Sequence, residues 1–292
     1  MTAPERGSES QGLHLEGGRF RQPLIIAHRG AAADAPENTL AAFELALDQG
    51  AAALELDVHL SADGLPVVIH DLRLDRTTSG RGLIGEHTLA EIRRLDAGSW
   101  FNHQYPARAR ARYSAQRIPL LTEVLALAQA RQCRVFVEIK TGGKTYPGIE
   151  AKVLEEIHRA GMQAQATIMS FDPKVLRTIR KLDLEIALGA NSDRPVAALR
   201  RARSLSARYV VPHWALATPR FIRRAHAAGL QVIVWTVNLP RAMRRLLARG
   251  VDGIITDYPV RLAEIRESVA RRKAGQPSRS EGTFSGAARI IR

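Results

Sequence analysis

With a single cysteine, Cys133, in 292 residues, the chain can form no internal disulfide, and nothing in it argues for an oxidising compartment. No apolar run approaches the ~20 residues that span a bilayer. Residues 1–22 are polar and include Glu5, Glu9 and Glu16, a pattern of neither a secretory leader nor a basic transit peptide. The expected location is therefore the cytoplasm. No glycine-rich dinucleotide loop is present, which removes the main support for an open doubly wound sheet. Acid is the scarcer charge, with 29 Asp and Glu against 43 Lys and Arg, a net +14. Residues 271–292 hold six basic side chains against one acid, Glu281, and so carry +5 of that excess. This Gly-, Ser- and Ala-rich segment has little to bury and reads as a disordered tail. Much of the remaining excess is arginine on outer helix faces, as in 199–208 and 241–249, which favours anionic partners without naming one.

What is present is a repeated beat of short apolar runs and helices. Strands are expected around Leu24, Leu54, Val135, Ile168, Ile186, Val210, Val232 and Ile254. The helices between them open on a capping residue or proline, as at Asp172-Pro173 and Thr218-Pro219, and often close on glycine. Eight such units make a parallel (β/α)₈ TIM barrel the economical fold, and about 250 residues suffice for one. The expected domain is 23–268, flanked by disordered segments 1–22 and 269–292. The turn Ser61-Ala62-Asp63-Gly64 is too short for a parallel crossover, so Val67-Val68-Ile69 should run antiparallel to the second strand as a hairpin arm. Residues 72–118 interrupt the beat and read as an insertion over the barrel mouth after strand two.

Chemistry gathers at the strand ends. His28-Arg29-Gly30 closes the first strand, and Gly30 allows a sharp turn with close backbone approach. Glu55 and Asp57 are two apart on the second strand and share a face. Glu138 and Lys140 end the third strand, Trp235 ends the seventh, and the arm returns His70 and Asp71 to the same mouth. Three converging carboxylates repel one another and resist ionisation; a divalent cation removes the conflict. An all-oxygen set suits Mg²⁺, Ca²⁺ or Mn²⁺ better than zinc. Two histidines beside it can act as acid and base, and Arg29 and Lys140 can hold a phosphate. That combination describes phosphoester cleavage. Glu37 reads as ordering the first loop. His59 is expected to face away from Asp57 and is left out of the site, while His213 and Trp214 end strand six, where lining the mouth and a structural role both stay open. His87, His103, His158 and His226 read as surface or helix residues, and Cys133 as a buried thiol.

At these residues the sequence resembles the glycerophosphodiester phosphodiesterase family. The likeness runs through His28-Arg29-Gly30, Glu37-Asn38-Thr39, Glu55-Leu56-Asp57-Val58, Val67-Val68-Ile69-His70-Asp71 and Arg76-Thr77-Thr78-Ser79-Gly80. It continues through Glu138-Ile139-Lys140, Trp235-Thr236-Val237-Asn238 and Gly253-Ile254-Ile255-Thr256-Asp257. The resemblance implies a barrel with an insertion after strand two, and metal-dependent hydrolysis of glycerophosphodiesters to sn-glycerol 3-phosphate and an alcohol. It makes His28 and His70 the catalytic pair and Glu55, Asp57 and Glu138 the ligands of one divalent ion. Arg29 and Lys140 face the phosphate and Trp235 the glycerol. Lysophospholipase D or sphingomyelinase D chemistry on a lipid is the alternative within enzymes; a basic module binding nucleic acid or anionic membrane is the alternative outside them. The expected partner is a small molecule rather than a specific nucleic acid, with weak anionic-surface contact through the tail. Three features depart from the family pattern: Ile118-Pro119-Leu120-Leu121, the basic tail, and the arginine-dense stretch 108–117, expected to border the mouth where the alcohol leaves.

Overall fold

The computed structural model describes residues 15–16, 19–20, 22–141 and 146–273. Of the segment expected to be disordered at the N-terminus, Leu15–Glu16 and Arg19–Phe20 form a two-residue antiparallel pair. The rest of that segment to residue 21, and the tail beyond 273, lie outside the described residues. The last helix runs to Lys273, past the expected domain end at 268.

Eight parallel strands close into a barrel: β1 (Leu24–His28), β2 (Ala53–Leu60), β3 (Arg134–Ile139), β4 (Ala166–Ser170), β5 (Ala187–Ser192), β6 (Tyr209–Pro212), β7 (Gln231–Val234) and β8 (Gly253–Thr256). Each pairs with its neighbour in chain order, and β8 returns to pair with β1. The helices that follow the strands are α1 (Leu40–Asp48), α2 (Leu121–Ala130), α3 (Ile149–Arg159), α4 (Pro173–Leu182), α5 (Pro195–Ser204), α6 (Pro219–Ala227), α7 (Pro240–Arg249) and α8 (Pro259–Lys273). The expected hairpin arm is Pro66–Val68, antiparallel to the outer part of β2, with Val58 opposite Val68 and Leu60 opposite Pro66.

Alternation along the strands sorts the side chains into two cores. Leu54, Leu56, Val58 and Leu60 of β2 point out under the helices, joining one continuous cluster with Val135, Val137, Ile168 and Leu188. Leu24, Ile26, Phe136, Met169, Tyr209 and Ile233 fill the barrel interior. This inner plug packs the barrel interior below the strand ends, which leaves the mouth as the place for a site. Thr39, Asp172 and Thr218 accept hydrogen bonds from first-turn amides and fix the starts of α1, α4 and α6.

One strand differs from expectation. A strand was expected around Ile186, and β5 instead spans Ala187–Ser192. Its Ala-Leu-Gly-Ala-Asn-Ser sequence lacks the β-branched residues that mark strands. Small residues serve here because Gly189 lies where a Cβ would come within 2.8 Å of the Met169 side chain and 3.2 Å of Val211.

Gly30 turns the chain out of β1 with φ +85°, and a Cβ there would sit 2.6 Å from the Ala42 backbone. Gly30→Ala should therefore destabilise the barrel by about 2 kcal/mol or more, through positive φ and collision with α1 together. Urea unfolding of the two proteins measures it.

Candidate active site

Strand register assembles the acidic centre. His28 lies opposite Glu55 across β1 and β2, and Asp57 lies opposite Glu138 across β2 and β3. Neighbouring parallel strands thus bring Glu55, Asp57 and Glu138 together, with one carboxylate oxygen from each within 4.8 Å of the others. All three are buried, at 2%, 1% and 8% exposure.

Their environments differ. Burial and the charge of Asp57 push the Glu55 carboxyl up to about 8. Burial also raises Asp57, but Lys140 and Arg29 outweigh it and hold Asp57 well below the usual carboxylate range. Lys140 Nζ lies 3.0 Å from Asp57 Oδ1 and 2.7 Å from Glu138 Oε1. Arg29 Nε lies 3.1 Å from Asp57 Oδ2. Glu138 stays raised because burial exceeds the opposing pull of Lys140. Arg29 adopts φ +54° and Asn38 φ +56°, a strained choice for side-chain-bearing residues. The strain places the Arg29 amide 3.1 Å from Glu55 Oε2 and the Asn38 amide nitrogen 2.9 Å from Asp57 Oδ2.

Each histidine of the pair is backed by a carboxylate. His28 Nδ1–H donates to Asp257 Oδ1 at 2.6 Å, and Asn238 donates to the other oxygen of Asp257. His70 Nδ1–H donates to Asp71 Oδ1 at 2.7 Å. Nε2 is thereby left for the cavity in both rings. Burial opposes charging of His28, but the Asp257 bond and the nearby Glu55 outweigh it, and its pKa is raised. At His70 burial leads, Asp57 opposes it, and Arg29 and Lys140 add to it, so its pKa is lowered. One imidazole favours its proton and the other its lone pair.

A second ring of residues fixes this pair. Arg76, on the insertion, pairs through two nitrogens with Glu37 at 2.8 Å each, and through Nε with Asp71 at 2.6 Å. Glu37 also accepts from Arg29 at 2.9 Å. The expectation that Glu37 orders the first loop agrees with these contacts. His59 did not behave as expected: residues two apart share a strand face, so it follows Asp57 rather than opposing it. Its Nε2–H donates to the carbonyl of His70 at 3.0 Å, and Nδ1 takes the Tyr146 hydroxyl at 3.2 Å.

His28, Arg29, His70, Lys140 and Trp235 line one cavity of about 140 Å³, together with Glu55 and Glu138. Trp235 is held by a hydrogen bond from Nε1 to the Val211 carbonyl at 2.9 Å, with Phe171 and His213 edge-on against its ring. Asn191, from β5, joins the lining and donates to Glu138 Oε2 at 3.2 Å. Among the described residues, the arginines of 108–117 do not line this cavity. Arg108 instead caps the Ala33 carbonyl, and Tyr113 donates to the Asp34 carbonyl, so the stretch fastens the loop after β1. The insertion reaches the site through Arg76. Cys133 is a buried free thiol, raised by burial to about 11.

Asp257, Asn238, Asn191 and Arg76 were missing from the sequence-derived site. Asp257 had a signal, since it directly follows β8 as His28 ends β1. Asn191 had none beyond its strand, which was itself misplaced.

A parallel barrel with two carboxylate-backed histidines, a buried acidic triad and two cations at the mouth defines a candidate phosphoryl-transfer site. The family model for the glycerophosphoryl diester phosphodiesterase family matches residues 28–261, and the chain belongs to that family. A glycerophosphodiester phosphodiesterase from Caldanaerobacter subterraneus subsp. tengcongensis is 37% identical over 243 residues, 83% of this chain and 97% of that one. The glycerophosphodiester phosphodiesterase structure from Agrobacterium tumefaciens superposes with TM-score 0.73 at 32% identity, covering 83% of this chain and all of that one. An Oleispira antarctica phosphodiesterase solved with its product sn-glycerol 3-phosphate gives TM-score 0.76 at 33% identity, covering 84% of this chain and 97% of that one. The chain is an enzyme, a phosphoric diester hydrolase. No helix among its described residues is long and apolar enough to cross a membrane.

Proposed function

We propose that the enzyme hydrolyses glycerophosphodiesters to sn-glycerol 3-phosphate and an alcohol, with His70 as base and His28 as acid. The observation that carries this reading is the opposite bias of two carboxylate-anchored histidines lining one cavity with a buried acidic triad. Neutral His70 takes the proton of the substrate's own 2-hydroxyl as that oxygen attacks phosphorus. Protonated His28 gives its proton to the departing alcohol oxygen, leaving a cyclic 1,2-phosphate of glycerol. The pair then exchanges roles: His28 takes a proton from water attacking phosphorus, and His70 returns one to the 2-oxygen. Arg29 and Lys140 face the phosphate oxygens with fixed positive charge. Trp235 offers its ring to the glycerol. The lone buried Cys133 agrees with work in the cytoplasm.

Glu55, Asp57 and Glu138 fit a divalent cation. Three buried carboxylates each bring an oxygen within 4.8 Å of the others, and burial with the charges of Asp57 and Glu138 makes Glu55 resist ionisation despite His28 and Arg29. Oxygen donors of this kind select Mg²⁺, Ca²⁺ or Mn²⁺. Such an ion supplies charge neutralisation at the phosphate and acidifies a nearby hydroxyl.

The test is release of glycerol 3-phosphate from a panel of glycerophosphodiesters and one lysophospholipid, with and without chelator. Chelation should abolish turnover, and any of the three ions should restore it. Full turnover in a metal-free preparation would remove the cation from the reading, and preference for the lysophospholipid would replace the substrate.

A further inference from the structure

Seven of the eight outer helices segregate by charge into two consecutive groups, while α8 is mixed, with five basic and two acidic residues. Helices α1, α2 and α3 hold six acidic residues against two basic ones. Helices α4 to α7, consecutive around the other half, hold fourteen lysines and arginines and no acid. Solubility alone calls for mixed charge rather than a segregated wall.

At the mouth the pattern opposes what folding favours. In a barrel of this kind the helices start at the mouth, and acids stabilise that end while cations weaken it. Helices α2 and α3 obey, with Glu123 and Glu150 in their first turns. Of the next four, α4 has an acid only at its Asp172 cap, and none has one in its first turn. Lys174, Arg220 and Arg241 each directly follow the proline that starts α4, α6 and α7, and Arg194 occupies the cap before α5. All four are exposed, and among the described residues none makes an ion pair. The cap of α7 is Leu239, which cannot accept the hydrogen bond a cap usually takes. Leu239 is 64% exposed, and Phe171, just before α4, is 41% exposed. Helix stability explains none of these six choices.

We infer that this half of the mouth rim docks the enzyme on an anionic phospholipid surface. Lys174, Arg194, Arg220 and Arg241 meet the headgroups, while Leu239 and Phe171 enter the interface between them. Basic residues near an anionic leaflet each strengthen binding about fivefold, and apolar tips flanked by cations suit a bilayer interface. A nucleic acid would reward the charges but not an aliphatic tip. The docked rim turns the cavity toward the membrane, where deacylation of phospholipids would release the proposed substrate. The docking itself does not depend on the catalytic reading.

The test is co-sedimentation of the full chain with phosphatidylglycerol–phosphatidylcholine vesicles, against phosphatidylcholine alone, at moderate salt. The double variant Arg220→Glu/Arg241→Glu should lose at least about tenfold in affinity. It should also melt slightly higher, since acids suit those helix starts, and that readout excludes misfolding. Leu239→Ser should weaken binding several-fold. Lys181→Glu/Arg203→Glu reverses equal charge at the far ends of α4 and α5, about 15 Å away along a ten-residue helix and beyond one Debye length, and should bind nearly normally. The inference is overturned if the protein ignores the anionic vesicles or if the far-end variant loses as much as the rim variant. It is equally overturned if Leu239→Ser binds normally while duplex DNA competes the vesicles away.

Discussion

Replacing His70 with alanine is expected to lower turnover by about 10²–10⁴-fold while leaving the barrel folded. The side chain is 31% exposed and bonds only to Asp71 among the described contacts of its ring, so its removal opens no core cavity. His28→Ala should lose activity on the same scale, because Nδ1 bonds to Asp257 and the ring lines the same cavity. Far-ultraviolet circular dichroism and melting should match the parent for both. Retention of activity within about tenfold by either variant would remove that histidine from proton transfer. The pH profile carries a further sign. A raised His28 must keep its proton to act as acid, and a lowered His70 must have lost its own, so activity rises as His70 deprotonates and falls as His28 does. Asp257→Asn removes a cause that raises His28; its basic limb should therefore move to lower pH, with the acidic limb nearly unmoved. Movement of both limbs together would mean that Asp257 acts on the fold rather than on His28.

A substrate lacking only the 2-hydroxyl should bind but turn over about 10³-fold more slowly, or worse. A well-oriented internal nucleophile reacts as if present at ~10⁵ M or more, far above the concentration of water itself. The site is built to exploit that advantage if Trp235, immobilised by the Val211 carbonyl and by Phe171 and His213, fixes how glycerol lies. The matched measurement is kcat and KM for the deoxy compound and its parent alcohol. Comparable kcat values would make water the direct nucleophile and discard the cyclic phosphate.

The strand ends were legible because a parallel barrel writes them plainly. A buried run followed at once by His, Glu or Lys places that residue at the mouth, and the spacing of Glu55 and Asp57 fixes their common face. The arm was legible from the length of one turn. Register was not, since sequence does not say that Asp57 stands beside Glu138 rather than one pair away. The supports were harder still. Asn191 sits on a strand made of small and polar residues, where local propensity gives little signal. Arg76 lies in a segment without periodicity, and its partners are 39 and 5 residues away. His59 is a different case: its parity with Asp57 is plain in the sequence and puts the two on one face, whereas its bond to the His70 carbonyl depends on where the arm lies.

The two histidines are mounted on different parts of the molecule. His28 belongs to the closed barrel, while His70 follows the antiparallel arm and is tied down by Asp71, Arg76 and His59. Under the proposed roles, the barrel alone would keep the carboxylates and the phosphate-facing cations and lose only the base. Descent of this fold therefore has a short path from catalyst to receptor. A lineage whose arm drifted would still recognise its ligand and would release it unchanged, a sensor made from an enzyme by loosening one appended strand.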